Sequence, residues 1–174
     1  MGYSHFWRRP VVVPCASWLL LQAEIRRLVD ASPVPLVWGH DEPGWKPEVS
    51  SNLIQFNGQP GCEDFCFPRF YGGRFGQAPD AEGREFQCCK SGGRPYDMIC
   101  AASLIVAKHH LGDLIVISSD GEDVDWEPAR AFCLKTLGYG YAFHIQGRAL
   151  VDSTKTPDAG TGAGAAVTVL KEEA

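Results

Sequence analysis

The sequence predicts an α+β fold, a single-domain sandwich with a mostly antiparallel sheet and about three helices. Two observations predict it. Short strand-like segments follow one another through hairpin-like turns, and the helix-like segments lie at separated places in the order β-α-β-β-β-β-α-β-α. At 174 residues the chain is long enough to bury one sizeable core. We therefore expect one α+β domain over residues 1–150 and a flexible or loosely attached C-terminal tail over residues 151–174.

The N-terminal half of the chain predicts strands arranged around one amphipathic helix. Residues 2–13 alternate loosely between two sides, as an opening strand does. From Ser17, a candidate N-cap, to Ala31, apolar residues recur at helical spacing, and the Ser-Pro pair that follows ends the helix. Further strands are predicted over residues 35–38, 52–57, 63–69 and 85–90. Glycine, proline and charged residues predict loops over residues 40–51 and 70–83.

The helix over residues 97–111 is the most clearly marked element of the chain. Apolar side chains cover nearly its whole circumference, which is typical of a buried helix. Asp97 is its candidate N-cap, and Gly112 suits the left-handed position beyond its end. We therefore expect this helix to lie in the core.

After this helix the pattern predicts a strand, a helix and a weaker final segment. The apolar run over residues 114–117 lacks alternation, as in a strand at the centre of a sheet. A last helix is predicted from Asp125 to Leu137, and residues 141–146 alternate like an edge strand. The tail is rich in glycine, alanine and threonine, although residues 167–170 could still pair as a strand.

Charge and cysteine content narrow the classes of function. A formal charge of −5 argues against a protein dedicated to duplex nucleic acid, because such proteins present a basic face to the phosphates. The seven cysteines are an odd number, and several lie in apolar helical segments, which predicts reduced thiols and a cytoplasmic location. Residues 11–21 are apolar, but prolines interrupt them and no small-x-small cleavage site follows. No apolar run reaches the ~20 residues that a membrane span needs, so we expect no membrane partner.

A turn that carries Lys90, Ser91 and Arg94 leads into the central helix. Backbone amides at a helix N-terminus and the helix dipole attract anions, so this turn is a candidate site for a phosphate. The Walker A pattern is absent, and Asp97 at the start of the helix would repel an anion unless it turned away. The alternative is an ordinary turn with solvated cations before a capped helix.

Two short polar segments lie near the ends of predicted elements, and each contains a carboxylate and at least one hydroxyl group. The first segment is Tyr96 and Asp97, and the second is Ser118, Ser119 and Asp120. If Asp97 and Asp120 converge, they could bind a cation or act as acid and base. The alternative is that Asp97 only caps a helix, while Asp120 and the glycine after it form a turn.

Aromatic and basic residues on the early strands offer further ligand contacts. Tyr3, His5 and Trp7 share one face of the opening strand and could form an aromatic shelf for a base or ring, with His5 donating a hydrogen bond. Packing into the core is the alternative. Arg69 follows an aromatic strand and could bind a phosphate with two hydrogen bonds, or lie exposed at the surface.

Cysteine spacing does not predict a metal site. Cys62 and Cys66 would lie on one face of a strand but about 13 Å apart, too far to bind one zinc ion together. The neighbours Cys88 and Cys89 would point to opposite faces. No thiol has a local activation signature that would pair it with the histidines near position 110. We therefore expect no metal and no cofactor.

Several segments together resemble a known group of proteins. They are Gly2-Tyr3-Ser4-His5-Phe6-Trp7, Ile54 to Gly58, Cys89-Lys90-Ser91 with Pro95-Tyr96-Asp97, Ala107 to His110, and Ser118-Ser119-Asp120-Gly121. Over about residues 1–137 the chain is similar to small uncharacterised proteins of bacteriophages and bacteria. That group has no established activity, so the resemblance implies no catalytic residues. It implies only a biological setting, which is interference with host signalling. A basic residue usually stands in the group where this chain has Gly93.

Three functions are compatible with these residues. The first is a soluble binding protein that sequesters a small anionic or aromatic, nucleotide-like ligand between the first strand, the Lys90 turn and the Asp120 segment. The second is a hydrolase or phosphodiesterase that uses Asp97, Asp120 and His5. The third is a module that binds a host protein through the loop that carries Trp45 and the glycine-rich residues 70–83.

Overall fold

The computed structural model describes residues 3–39, 44–70 and 78–155. These residues form strands and helices of a mixed class, which confirms the predicted α+β fold. The helices are α1 (Cys15–Asp30), α2 (Asp97–Leu111) and α3 (Glu127–Leu137), with short 3-10 turns at Gly112–Leu114 and Asp123–Trp126. The strands are β1 (Ser4–Pro10), β2 (Leu36–Val37), β3 (Glu48–Val49), β4 (Leu53–Gly58), β5 (Phe65–Pro68), β6 (Arg84–Lys90), β7 (Val116–Ser119), β8 (Phe143–Gln146) and β9 (Ala149–Asp152). None of the described helices is long and apolar enough to cross a membrane.

The strands form two antiparallel sheets. The larger sheet has the order β6-β1-β7-β9-β8, so the first strand of the chain lies between β6 and β7. The smaller sheet is centred on β4, which pairs with β2, β3 and β5. Antiparallel neighbours explain why short turns join many of these strands.

Strand β1 alternates strictly between a buried and a partly exposed side chain. His5, Trp7 and Arg9 point inward and are buried, whereas Phe6 and Arg8 point outward. The inward Trp7 ring packs on two aromatic rings of β5, at centroid distances of 5.5 and 6.1 Å. The two sheets are therefore joined by an aromatic core beneath β1.

Helix α2 has the predicted bounds and is buried on nearly all sides. Gly112 follows it with φ of 56°, a conformation that glycine adopts without a steric penalty. The N-cap position is occupied by Tyr96, and no side chain caps this helix end. Asp97 is therefore not the predicted N-cap, because its carboxylate bonds instead to a side chain of β1.

Other element bounds differ from the prediction for local reasons. Helix α1 begins at Cys15 rather than Ser17, because the Trp18 amide already donates to the Pro14 carbonyl at 2.8 Å. The strand predicted at residues 114–117 begins at Val116, since a 3-10 turn follows α2.

Two short strands lie where the sequence predicted none. Strand β3 falls within the predicted loop 40–51, and β9 crosses the predicted domain boundary at residue 150. The first two residues of the predicted tail thus belong to the larger sheet. Residues 71–77 of the predicted second loop, and the strand proposed over 167–170, lie outside the described residues.

Close packing at Gly58 gives a test of the junction between β4 and α2. A Cβ atom at Gly58 would lie 2.5 Å from Cδ1 of Tyr96, a buried ring that cannot move freely. We expect Gly58→Ala to lower the free energy of unfolding by about 1–3 kcal/mol, measured by urea denaturation. Gly39→Ala is the control, because its Cβ would meet Asp64 only at 3.4 Å. Equal stability of the two variants would contradict this packing.

Candidate functional site

Three of the predicted site residues are joined by hydrogen bonds at one end of the larger sheet. His5 Nε2 lies 2.9 Å from Asp97 Oδ1, and His5 Nδ1 lies 3.1 Å from Ser119 Oγ. His5 comes from β1, Ser119 ends β7 and Asp97 begins α2. His5 and Ser119 are paired across the two strands, so the pleat of the sheet directs both side chains to the same face.

The carboxylate of Asp97 is fixed through one of its two oxygens. Besides His5, the buried hydroxyl of Ser91 donates to the same Oδ1 atom. Ser91 directly follows β6, so three elements of the fold converge on this carboxylate. The Asp97 side chain is 16% exposed, and among the described residues nothing donates to Oδ2. One acceptor atom is thus oriented by the protein and remains for a further donor.

His5 belongs to a chain of hydrogen bonds that runs from Gly121 to Asp97. The Gly121 amide donates to Ser119 Oγ at 3.0 Å, and Ser119 Oγ is hydrogen-bonded to His5 Nδ1. His5 Nε2 donates to the Asp97 carboxylate. This order of residues resembles the acid, base and nucleophile of a serine hydrolase. However, His5 and Ser119 are both fully buried, so the serine cannot reach a substrate as the chain stands.

Two aromatic side chains enclose His5. Tyr3 and Trp126 contact its ring edge-on, with centroid distances of 5.2 and 5.1 Å. Burial and the negative charge of Asp97 raise the pKa of Tyr3 well above its ordinary value, so the phenol stays protonated. Ser119 opposes this shift, but its hydroxyl is engaged with His5 and the Gly121 amide.

The polar atoms of these two aromatic residues have no partner among the described residues. Tyr3 Oη and Trp126 Nε1 are buried, and neither forms a hydrogen bond within the described part of the chain. Buried donors are normally satisfied by protein or by ordered water. Sequence analysis did not single out Trp126 or the Ser91 hydroxyl as part of a site with His5, because both depend on contacts between distant segments.

The turn before α2 carries two exposed cations. Gly92 and Gly93 have φ angles of 63° and 66°, and they separate Lys90 from Arg94. The Gly92 amide donates to the Tyr3 carbonyl at 3.0 Å, which ties the turn to β1 beside the buried network. Among the described residues, neither Lys90 nor Arg94 forms an ion pair. Both cations therefore remain open to an anionic ligand.

Asp120 and Ser118 do not join the network around His5. The Asp120 carboxylate pairs with Arg148, and its amide donates to the Ser4 carbonyl at 3.0 Å. Ser118 points to the opposite face of the sheet from Ser119. Asp97 alone, and not the predicted pair of aspartates, is bonded to His5.

Three other predicted residues lie apart from this cluster. Trp7 is buried and donates from Nε1 to Gln87 at 2.8 Å, so it belongs to the core rather than to an open shelf. Tyr96 is also buried, and its hydroxyl donates to the Glu63 carbonyl at 2.6 Å. Arg69 lies beyond the other end of β1, with its guanidinium over the Phe70 ring at 4.8 Å.

None of the seven cysteines forms a disulfide with another described cysteine. No group of three or more histidine, cysteine, aspartate or glutamate residues that could hold a metal ion occurs within residues 3–39, 44–70 and 78–155. Cys15 is exposed, whereas burial raises the pKa of the Cys133 thiol to about 12.

Thiol labelling tests this difference. At pH ~8 a maleimide should modify Cys15 in the folded protein and spare Cys133, because thiols react as thiolates. Mass spectrometry of peptides from native and unfolded protein measures the order of modification. Early labelling of Cys133 would show that α3 is not packed as described.

The network makes different predictions for two aspartates. Asp97→Asn removes the charged acceptor of two hydrogen bonds from buried side chains, so we expect a loss of about 1.5–3 kcal/mol in the free energy of unfolding. Asp120→Asn changes a solvent-exposed ion pair, which is worth about 0–1 kcal/mol. Chemical denaturation of both variants measures the difference. A larger loss for Asp120→Asn would contradict the central place of Asp97.

Comparisons with known proteins give no further guide to this site. No family model, no curated protein and no solved structure matches the chain. The likeness to phage and bacterial proteins therefore stays a prediction from the residues. The role of the site has to follow from its geometry.

Proposed function

We propose that the protein binds a small nucleotide-like ligand beside Asp97 and sequesters it. One observation carries the proposal: the Asp97 carboxylate is held through Oδ1, and no described residue donates to Oδ2 or forms an ion pair with Lys90 and Arg94 in the turn before α2. A group held in advance loses little entropy when a ligand arrives, which favours binding. The resemblance to phage proteins adds interference with a host signal as the setting.

The site would bind a ligand that has a hydrogen-bond donor at one end and an anionic group at the other. Asp97 Oδ2 is an acceptor with negative charge, so it would bind an N–H group of a base or a sugar hydroxyl and would repel a phosphate. Lys90 and Arg94 would bind the phosphate, with Arg94 able to offer a bidentate pair. A Cβ at Gly93 would meet nothing within 4 Å, so space remains beside the turn. A nucleotide carries both kinds of group.

A hydrolase is the second candidate, favoured by the hydrogen-bonded order of Asp97, His5 and Ser119. Burial of the histidine and the serine argues against nucleophilic attack by Ser119. What remains is Asp97 as a general base toward a bound water. A ligand recovered intact separates sequestration from this activity.

The third candidate, binding of a host protein, has less support. The Trp45 side chain is 64% exposed and its ring lies against Trp38 at a centroid distance of 6.2 Å. A single exposed indole does not define the chemistry of a partner. We therefore keep this function as an outcome of the test below.

The proposal predicts that variants at Lys90 and Asp97 lose ligand affinity under conditions in which they remain folded. Native mass spectrometry of protein purified from cells, followed by release of bound molecules, identifies the ligand. Titration calorimetry with that nucleotide then compares Lys90→Ala and Asp97→Asn with the parent protein. We expect each to weaken binding about tenfold or more, because a hydrogen bond to a charged group contributes about 1.5–3 kcal/mol. Lys135→Ala, which changes an exposed cation on α3, is the control and should leave affinity unchanged.

The possible outcomes separate the three functions. Unchanged affinity in Lys90→Ala and Asp97→Asn would place the ligand elsewhere. Steady turnover of the nucleotide would overturn sequestration and support the hydrolase. Absence of any ligand, with a host protein recovered in its place, would support the interaction module.

A further inference from the structure

The outward face of the larger sheet differs from the face that carries His5. Inward residues of its strands are almost all buried, whereas the alternating outward residues all retain solvent exposure. Val116 on β7, for example, is 44% exposed. The helices and the aromatic residues of β5 pack on the inward side. The five strands therefore present a broad surface to solvent.

Strand alternation sorts the charges of this sheet. The outward positions of its five strands include Arg8, Arg84 and Lys90 and contain no aspartate or glutamate. The two acidic residues of these strands, Glu85 and Asp152, occupy inward positions. In a chain with a formal charge of −5, the outward strand positions thus carry cations and no carboxylate.

The cations on this face are not equally available. Arg84 pairs with Asp80 and with Glu82 of the preceding turn, each at 2.9 Å. Arg8 and Lys90 form no ion pair with any described residue. The two lie on neighbouring strands of the same face and can both meet an anionic ligand.

Aromatic rings lie among these cations. Phe6 and Phe86 are stacked with a centroid distance of 6.2 Å and an interplanar angle of 22°. The Arg8 guanidinium lies over the Phe86 ring at 5.5 Å, and that of Arg148 lies over the Phe6 ring at 6.0 Å. Two rings and two guanidinium groups thus form a row across β6, β1 and the β8–β9 turn.

We propose that this outward face binds single-stranded nucleic acid. Unpaired bases stack on aromatic rings and guanidinium planes, and proteins that bind single strands combine such rings with cations along the backbone. Phe6 would receive a base, while Arg8 and Lys90 would receive phosphates; Arg148 is already paired with Asp120. A duplex hides its bases from such a surface. The expectation from net charge that the protein does not bind duplexes is therefore consistent with this proposal.

This surface shares Lys90 with the site proposed for the small ligand, but its other residues are different. Phe6 and Arg8 lie between the inward residues of the same strand, so their side chains point away from His5. Neighbouring strands are about 4.8 Å apart, and five of them span roughly 20 Å, room for a few stacked nucleotides. The test below varies Phe6 and Arg8, which are not part of the Asp97 site, so the two proposals can fail separately.

Fluorescence anisotropy with labelled single strands tests the proposal. The probes are oligothymidylate and oligouridylate of about 12 nucleotides, with a duplex of equal length for comparison, at about 50 mM salt. We expect both single strands to bind and the duplex to bind more weakly. Phe6→Leu should weaken binding about fivefold or more, because it removes one stacking surface. Arg8→Gln should reduce the slope of log affinity against log salt by about 0.7, the value for one phosphate contact.

Control variants keep the result specific to this face. Leu134→Ala changes an exposed apolar residue of α3, and Arg94→Gln changes the proposed small-ligand site; neither should alter strand binding. Circular dichroism checks that each variant is folded, and Arg8→Gln carries the test if Phe6→Leu is not. No anisotropy change at protein concentrations up to about 100 μM would overturn the proposal. Binding that is as tight to duplex, or that both face variants leave unchanged, would overturn it as well.

Discussion

The pairing of β1 with β6 on one edge and with β7 on the other is the constraint on which the rest of the structure depends. Side chains alternate along a strand with a period of two residues, so a central strand sends alternate residues to two different environments. In β1 this period places His5 and Trp7 inside and Phe6 and Arg8 outside. A shift of one residue in either pairing would exchange the two sets. The register of one strand therefore fixes both the buried network and the exposed surface.

The buried network follows from the cost of placing polar groups in a core. A buried imidazole without partners would cost several kcal/mol at the upper end of measured values, so burial is tolerated only when both nitrogens are bonded. Ser119 and Asp97 supply those bonds, while Ser91 donates to Asp97 Oδ1 and the Gly121 amide donates to Ser119 Oγ. Such a network favours one arrangement of its elements, since any slip leaves a buried group unpaired. The same bonds that hold the sheet end to α2 also orient the one partly exposed carboxylate.

Local signals in the sequence were sufficient to predict α2 but not its surroundings. Its bounds follow from a continuous apolar circumference and from Gly112, which are features of neighbouring residues. The bond between His5 and Asp97 joins residues 92 positions apart, and no pattern in one segment specifies such a pair. Alternation correctly predicted that Tyr3, His5 and Trp7 share a face. It could not show that this face is covered by β5 and α2 rather than open to a ligand.

The short strands and the net charge also show what a sequence pattern cannot predict. Strand β3 has two residues, too few for a period to appear, and β9 begins only two residues before the predicted tail. Net charge is a sum over all residues, so it does not say on which face of the protein each charge lies. The larger sheet has Glu85 beside Arg84 and Phe86 in sequence, yet the pleat sends the acid inward and its neighbours outward.

An acidic protein can therefore carry unpaired cations on one sheet face, and averaging over the chain conceals them. At physiological ionic strength charges more than about 8 Å apart are largely screened from one another. An anion near Arg8 or Lys90 would thus respond chiefly to that cation, and little to carboxylates on distant helices. The local arrangement of charge, set by strand register, is the quantity that decides which ligands this surface admits.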